Sequence, residues 1–238
     1  MLFGAGLGYW RGRDKERREK LLHDNLEWAD TGFSAILLAS LVMFFIIQAF
    51  KIPSGSMRMT FVEGDHLFVN KFIYGVPVPF TNKKFFKFKK VKSGEIVIFR
   101  FPSKDKTNPH YGKDFIKRVV AVEGQIVEIK NKVLIVDGVE QEEPFKQHKD
   151  SRIYNPSFKL DPKDFQERWE TANFSSMGGN DIRDNFGPVV IPSGRIMVMG
   201  DNRDRSFDSR YWGPLPLSAI KGKALLLYWP LRRFRMIH

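Results

Sequence analysis

A stretch of twenty residues without a charged side chain, TGFSAILLASLVMFFIIQAF, occupies positions 31–50 of the 238-residue chain. As a helix rising 1.5 Å per residue, it would cross the roughly 30 Å hydrocarbon core of a bilayer. It ends in Gln48-Ala49-Phe50-Lys51 rather than in the small residues of a signal-sequence cleavage site. We therefore predict one retained N-terminal transmembrane helix over 31–50. The alternative is a buried helix of a soluble core, but no polar face appears at a helical period.

Charge around this stretch predicts its orientation. Six basic residues precede it: Arg11, Arg13, Lys15, Arg17, Arg18 and Lys20. The positive-inside rule then places residues 1–30 in the cytoplasm and the chain after residue 50 on the other side of the membrane. Most of the net charge of +12 lies in that later part, which suits an acidic partner, either nucleic acid or an anionic membrane surface. The absence of Cys excludes disulfides and a cysteine nucleophile.

Short apolar and β-branched runs bounded by Gly, Pro and Asn predict a mainly β, antiparallel catalytic domain. The runs are HLFV, EIVIFRF, FIKRVVAV, QIVEI, KVLIV, RIMVMG and ALLLYW. Two of them are separated by Asn131-Lys132, which is typical of a hairpin. Residues 140–186 are polar and include one helical segment, DPKDFQERW. We predict that they form a smaller inserted lobe, and that the β core consists of residues 51–139 and 187–238.

A segment rich in Lys and Phe, TNKKFFKFKKVK, spans residues 81–92. Mixed cations and aromatic rings suit contact with anionic lipid headgroups. A solvated loop whose rings reach into the core is the alternative, and the sequence leaves both open.

Two clusters carry side chains that can do chemistry. Ser54 and Ser56 follow the apolar stretch in Ile52-Pro53-Ser54-Gly55-Ser56-Met57, which read alone is a linker. Lys117 interrupts the apolar strand pattern FIKRVV, where one of two adjacent cations should point inward. Burial would lower the pKa of such an amine enough for it to act as a general base. His66, after Asp65, is the one histidine considered as a base instead, although a strand-edge role suits it better.

A third cluster, Gly200-Asp-Asn-Arg-Asp-Arg-Ser-Phe-Asp-Ser-Arg-Tyr-Trp-Gly213, alternates acids and arginines after a strand. The pattern predicts a rigid turn tied by ion pairs and side-chain hydrogen bonds. A calcium loop is the competing interpretation, but three arginines intrude and the terminal Glu is missing. We predict no metal site.

Together the three clusters resemble the bacterial type I signal peptidases, or leader peptidases, which use a serine/lysine dyad. The residues that carry the resemblance are Pro-Ser-Gly-Ser-Met after an apolar segment, Gly64-Asp65 followed by Tyr74-Gly75, Lys-Arg-Val in a strand, and the Gly-Asp-Asn-Arg-Asp cluster, in the family's order. They cover roughly half of the chain, from about Phe50 to Gly138 and from about Phe186 to Trp229.

The resemblance implies roles for individual residues. Ser56 would be the acylated nucleophile and Lys117 its general base. The Ser54 hydroxyl and the backbone N–H of Ser56 would form the oxyanion hole, and Ser206 would hydrogen-bond and orient the Lys117 amine. The remaining roles are structural support, from Asp201, Asp208 and Arg210, and a shallow apolar substrate pocket, from Ile52, Pro53, Met57 and Ile116. Arg118 would face solvent or an acid and has no chemical role.

The resemblance also implies the activity and the setting of the protein. It would be a membrane-bound serine endopeptidase of the bacterial inner membrane that removes signal peptides after small residues, with its catalytic domain on the extracytoplasmic side. Its partners would be exported preproteins and the lipid bilayer, near the secretion translocon, with no nucleic acid and no cofactor. Two alternatives remain: a conjugation or pilus-processing peptidase of the same clan, and a basic membrane-anchored binding module.

Two positions depart from the family's pattern. Met59 stands where the family usually has a proline, which makes the rigidity of the turn after the nucleophile uncertain. Asn70 stands where an acid is common before Lys71, which affects only a local ion pair.

Overall fold

The computed structural model describes residues 15, 19–20, 25–41, 46–77, 84–85, 89–172, 174 and 181–237. The chain divides into two compact units, Met1–Ile46 and Ile47–His238. In the first unit, residues 25–41 form a helix, α1, whose side chains are exposed. Within the described ranges, no helix combines the length and the apolar character that a membrane crossing requires.

The predicted helix over 31–50 is wrong at its C-terminal end. Ile47–Lys51 forms strand β1, which pairs antiparallel with the next strand from Ile47 opposite Asn70 to Lys51 opposite His66. These residues satisfy their backbone groups in a sheet ladder rather than in a helix. A uniformly apolar run has no period by which sequence could separate the two structures.

The second unit is built on antiparallel sheets, as predicted. The largest sheet has eight strands in the order β1-β2-β13-β5-β6-β11-β12, with β14 paired to β13. Its members after β1 are β2 (His66–Asn70), β5 (Ile96–Arg100), β6 (Asp114–Val122), β11 (Arg195–Met199), β12 (Leu215–Pro216), β13 (Ile220–Trp229) and β14 (Arg235–Met236). A separate two-stranded ladder joins β3 (Val76–Pro77) and β4 (Lys84–Phe85).

The central strands of the large sheet are buried on both faces. In β5, Ile96 and Ile98 pack into one core cluster, whereas Val97 and Phe99 pack into a second cluster on the other face. This follows from the alternation of side chains along a strand. The strand therefore reads as a continuous apolar run in the sequence.

A second sheet, of four strands, has the order β10-β7-β8-β9. Its strands are β7 (Ile126–Lys130), β8 (Val133–Val136), β9 (Val139–Glu140) and β10 (Phe186–Val190). The predicted hairpin is present between β7 and β8, and Asn131 and Lys132 both have positive φ, as a type I′ turn requires. Because β7 pairs with β10, the second sheet begins at Ile126, earlier in the chain than the predicted lobe boundary at residue 140. The division into core and lobe at 139/140 and 186/187 stays a prediction.

The predicted helical segment of the insert is helix α2, Pro162–Glu170. Asp161 caps its N-terminus by accepting a hydrogen bond from the backbone N–H of Asp164, and Pro162 occupies the first turn, where its missing N–H costs nothing. Phe165 and Trp169 bury its apolar face in the core of the second sheet. The Trp169 indole also donates to the carbonyl of Ser209, at the start of the short helix α3, Ser209–Trp212.

One prediction falls mostly outside the described residues, and one departure from the family's pattern lies within them. Of the Lys- and Phe-rich segment 81–92, the side chains of 81–88 are not described. At Asn70 the structure shows a local turn: its side-chain oxygen accepts hydrogen bonds from the backbone N–H groups of Phe72 and Ile73.

Candidate active site

Ser56 lies in a one-turn 3-10 helix, Gly55–Met57, that follows the extended residues Pro53 and Ser54. Met57, next to it, is fully buried in the core of the large sheet and fixes the turn from below. The Ser56 side chain is thereby held at the floor of a cleft of about 490 Å³.

Lys117 projects from the middle of β6 toward the same point. Its Nζ lies 2.7 Å from Ser56 Oγ and 3.1 Å from the carbonyl oxygen of Ile116, and the side chain is almost completely buried. Burial lowers the pKa of Lys117 to about 8, against the opposing charges of Asp208 and Asp201. About a tenth of this amine is therefore neutral at pH 7, and a neutral amine can accept the proton of the serine hydroxyl.

Arg118, the next residue on β6, points away from the cleft and binds Asp201. Two guanidinium nitrogens lie 2.9 and 2.8 Å from its carboxylate, and Thr60 donates to the same carboxylate at 2.5 Å. Arg118 also stacks on the ring of Phe145 and donates to the carbonyl of Gly94. The acid that Arg118 faces is thus Asp201, and through Thr60 the pair also ties β6 to the turn after Ser56.

Asp208 and Arg210 form a second, fully buried ion pair beneath the site. Asp208 accepts from Arg210 Nε at 2.9 Å and from the backbone N–H of Gly200 at 3.1 Å, and it caps α3. Arg210 in turn donates to the carbonyls of Arg183 and Arg203. These contacts connect the two ends of the turn between β11 and α3 and fix its conformation.

Ser206 is buried in that turn, beside Gly200. A Cβ at position 200 would overlap the Ser206 hydroxyl and the carbonyl oxygen of Ser56, so only glycine allows the two segments to approach. No hydrogen bond joins Ser206 to Lys117 in the described part of the chain, and the Ser206 hydroxyl interacts instead with the Asp208 carboxylate, whose pKa it helps to lower. Its role in orienting the amine stays a prediction.

Ser54 stands at the mouth of the cleft. Its hydroxyl oxygen is 3.5 Å from Ser56 Oγ, and its side chain is exposed. Of the four predicted pocket residues, Pro53 and Ile116 line the cleft. Ile52 and Met57 belong to the buried core beneath it instead.

Asn202 is a residue of the site that sequence reasoning did not single out. Its backbone N–H donates to the carbonyl of Ser56 at 3.1 Å, and its side-chain amide donates to the carbonyl of Gly55 at 2.9 Å. Both bonds hold the turn that carries Ser56, and both come from one residue of the Gly-Asp-Asn-Arg-Asp cluster. The sequence signal that could have identified Asn202 is its position within that cluster.

The inserted lobe contributes further contacts that the sequence did not predict. Glu143 forms a buried two-bond ion pair with Arg203, at 2.8 and 2.5 Å, and His148 Nδ1 lies 3.2 Å from Asp204. Gln147 joins its backbone to Asp201 and Arg203. Residues 143–148 are therefore hydrogen-bonded to residues 201–204, which lie in the segment 200–206 that we call the catalytic turn.

The alternatives considered for this chemistry lie elsewhere or lack support. His66 begins β2 and packs its ring against Tyr228, outside the cleft lining. Among the residues that the structure describes, no group of three or more His, Asp or Glu side chains is arranged to hold a metal. The acids of the third cluster are engaged in the ion pairs above.

A groove of about 510 Å³ between α2 and β10 contains none of the predicted site residues.

A serine hydroxyl in contact with a buried lysine amine of lowered pKa, on the floor of an open cleft, defines the class of hydrolases with an activated nucleophile. The family model described as "Signal peptidase, peptidase S26" matches residues 25–229 of this chain. The chain therefore belongs to the signal peptidase family, and it is a peptidase of the kind that cleaves signal peptides from preproteins.

Individual relatives agree with the family match. The chain is 30% identical over 233 residues to signal peptidase I of Pseudomonas fluorescens, covering 91% of this chain and 76% of that protein. It is 32% identical over 228 residues to thylakoidal processing peptidase 1 of Arabidopsis thaliana, covering 91% of this chain and 54% of the relative. A crystal structure of signal peptidase I from Enterococcus faecalis V583 matches with a TM-score of 0.37 at 23% identity, over 57% of this chain and 97% of that one.

Proposed function

We propose that the protein is a membrane-bound serine endopeptidase that removes N-terminal signal peptides from exported preproteins, with Ser56 as nucleophile and Lys117 as general base. The observation that carries the proposal is the 2.7 Å contact between Lys117 Nζ and Ser56 Oγ in a buried setting. No other described group with a suitable pKa touches the hydroxyl.

In acylation, the neutral Lys117 amine takes the Ser56 proton while Oγ attacks the carbonyl carbon of the small residue that precedes the cleavage point. The backbone N–H of Ser56 and the hydroxyl of Ser54 stabilise the oxyanion, each donor contributing about 3 to 4 kcal/mol. The protonated Lys117 then gives its proton to the leaving amine, which releases the mature protein. A water deprotonated by Lys117 then attacks the ester carbonyl. The Ser56 oxygen leaves and takes the proton back from Lys117, and the signal peptide is released with a free carboxyl group.

The substrate would bind as an added strand. β6 pairs with β5 from Asp114 to Arg118, but β11 pairs with β6 only from Arg118 to Val122. Residues 114–117 therefore present a free backbone edge among the described strands, and the same residues line the cleft. An extended peptide can pair with such an edge and bring its carbonyl to Ser56.

Two surfaces support membrane binding. Helix α1 exposes Phe33, Ile36, Leu38 and other apolar side chains. In the second unit, Trp229, Leu231, Phe234 and Met236 are all more than half exposed, and they alternate with Arg232, Arg233 and Arg235. Apolar side chains among arginines suit the headgroup region of an anionic bilayer. We propose that the catalytic unit acts on the extracytoplasmic side of a bacterial inner membrane.

The test uses the full-length protein in detergent and a preprotein substrate, with cleavage followed by mass spectrometry. Ser56→Ala and Lys117→Met should each reduce cleavage by at least about a thousandfold, because each removes a group on which the nucleophile depends. Ser218→Ala and Lys159→Met change exposed residues outside the cleft and should cleave at the normal rate. Normal cleavage by either dyad variant would contradict the proposal.

A further inference from the structure

We propose that Lys113 and Arg205 make the cleft selective for preproteins that carry an acidic side chain close to the scissile bond. This inference rests on the proposed function and adds a charge preference to its substrate class. It follows from an account of the charged side chains that line the cleft apart from Lys117, which is buried against Ser56.

The two acids of the cleft are already neutralised by cations of the protein. Glu63 receives two hydrogen bonds from Arg58, at 3.1 and 2.6 Å. Asp114 is paired with Lys221 at 2.6 Å and with Arg100 at 3.5 Å. The Arg58–Glu63 pair is neutral and the two cations on Asp114 outnumber its one charge, so neither acid leaves negative charge to repel an acidic side chain.

His110, also in the lining, does not supply a full positive charge. Its ring packs among Phe101, Phe115 and Phe207. Burial and the nearby charge of Lys113 lower the pKa of His110 below its usual value, so the ring is mainly neutral at pH 7.

Lys113 and Arg205 remain as exposed cations of the lining, and neither has an ion-pair partner in the described ranges. Lys113 precedes the free edge of β6 and lies four residues before Lys117, which is about 13 Å of extended chain. Arg205 directly precedes Ser206 in the catalytic turn. A peptide paired along the edge would therefore place side chains within about four residues of the scissile bond near one cation or the other.

The expected discrimination is modest because both cations contact water. An exposed ion pair changes binding by about two- to fivefold, and the planar Arg205 guanidinium can bind a carboxylate with two hydrogen bonds. High salt should weaken the preference, since the charges are screened.

The experiment uses the full-length protein and a series of otherwise identical signal-peptide substrates. Each substrate keeps the small residue directly before the cleavage point and carries Asp, Asn or Lys at one other position within four residues on either side of it. We expect kcat/KM for Asp to exceed that for Asn by about two- to fivefold at one or more positions, with Lys lowest. The ratio should fall toward one in 0.5 M NaCl or in the Arg205→Gln, Lys113→Gln double variant.

Two further variants sharpen the result. Lys159→Gln makes the same charge change on an exposed residue outside the cleft and should keep the wild-type ratio. Arg205→Glu should reverse the order of kcat/KM at the substrate position nearest Arg205, so that the Lys substrate is cleaved more efficiently than the Asp substrate. Equal rates for Asp and Asn at every position, or an unchanged ratio in the double variant, would overturn the inference. Failure of the wild type to cleave any of these peptides would contradict the proposed function instead.

Discussion

At the scale of single residues, the charge balance around Lys117 explains why the pKa of its amine lies below the usual value. The two nearest carboxylates would raise its pKa, but each is bound to its own arginine, Asp201 to Arg118 and Asp208 to Arg210. The carboxylates are thus largely compensated, and desolvation dominates. The two ion pairs therefore leave the pKa of Lys117 low, and neither pair contacts the Ser56 hydroxyl.

The pH dependence of cleavage follows from this balance. Only the neutral amine accepts the serine proton, so kcat/KM should fall as pH drops below the Lys117 pKa of about 8, by about tenfold per unit once well below it. The measurement is a pH profile of peptide cleavage from pH 5 to 9. A rate that stays flat down to pH 5 would contradict a lysine base.

Met59 shows how the departure from the family's proline is accommodated. Its φ is +85°, a conformation that the proline ring cannot adopt and that side chains other than glycine rarely take. The turn after the nucleophile is instead held by Thr60, which donates to Asp201, and by Arg233 and Arg235, which donate to the Thr60 carbonyl. The rigidity that a proline would supply comes here from side-chain hydrogen bonds.

At the scale of structural elements, residues 143–148 and helix α2 support the catalytic turn. Glu143, Gln147 and His148 all contact residues 201–204, and α2 contacts α3 through Trp169. The turn carries Asn202, which holds the nucleophile through two backbone carbonyls. A change in the lobe can therefore reach Ser56 through one chain of hydrogen bonds.

Glu143→Gln tests this coupling. The variant leaves Arg203 buried without a counter-charge, and we expect a loss of about 2 kcal/mol of stability, because hydrogen bonds between charged groups contribute about that much. We expect the loss of this pair to displace Arg203 and the adjacent Asn202, which holds Ser56. Therefore kcat should fall by about tenfold or more while KM changes little. Denaturant unfolding and steady-state kinetics measure the two effects.

The neighbouring Glu142 offers a matched control for that experiment. It is exposed, so Glu142→Gln should leave both stability and kcat at their normal values. A Glu143→Gln protein that is less stable but has an unchanged kcat would mean that the lobe stabilises the fold without positioning the nucleophile.

At the scale of the whole molecule, the exposed apolar side chains between Trp229 and Met236 predict a dependence on lipid. Leu231→Ser combined with Phe234→Ser should reduce cleavage of a preprotein in vesicles by about tenfold relative to cleavage of a short soluble peptide, because each buried apolar side chain contributes about 1 kcal/mol or more. Val139→Ser with Ile153→Ser, also exposed and apolar, is the control. Equal losses on both substrates would exclude a lipid-facing role.

The sequence predicts those parts of the molecule that local patterns determine. The β7–β8 hairpin follows from Asn131-Lys132, and α2 follows from its cap and its apolar face. The approach of Ser56 to Lys117, 61 residues apart, has no local pattern and was predicted only through the family resemblance. Glu143 and Asn202 were missed for the same reason, since nothing in their own segments names the distant partner that each binds.

The open edge of β6 has one more consequence. An unpaired strand edge accepts any extended chain, including the same edge of a second copy, and natural sheets discourage such stacking with charge. Here the edge is recessed in a cleft that begins at Lys113, so two copies would bring like charges together before their backbones could pair. The cation that helps choose a substrate would also keep the enzyme from aggregating through its own active site.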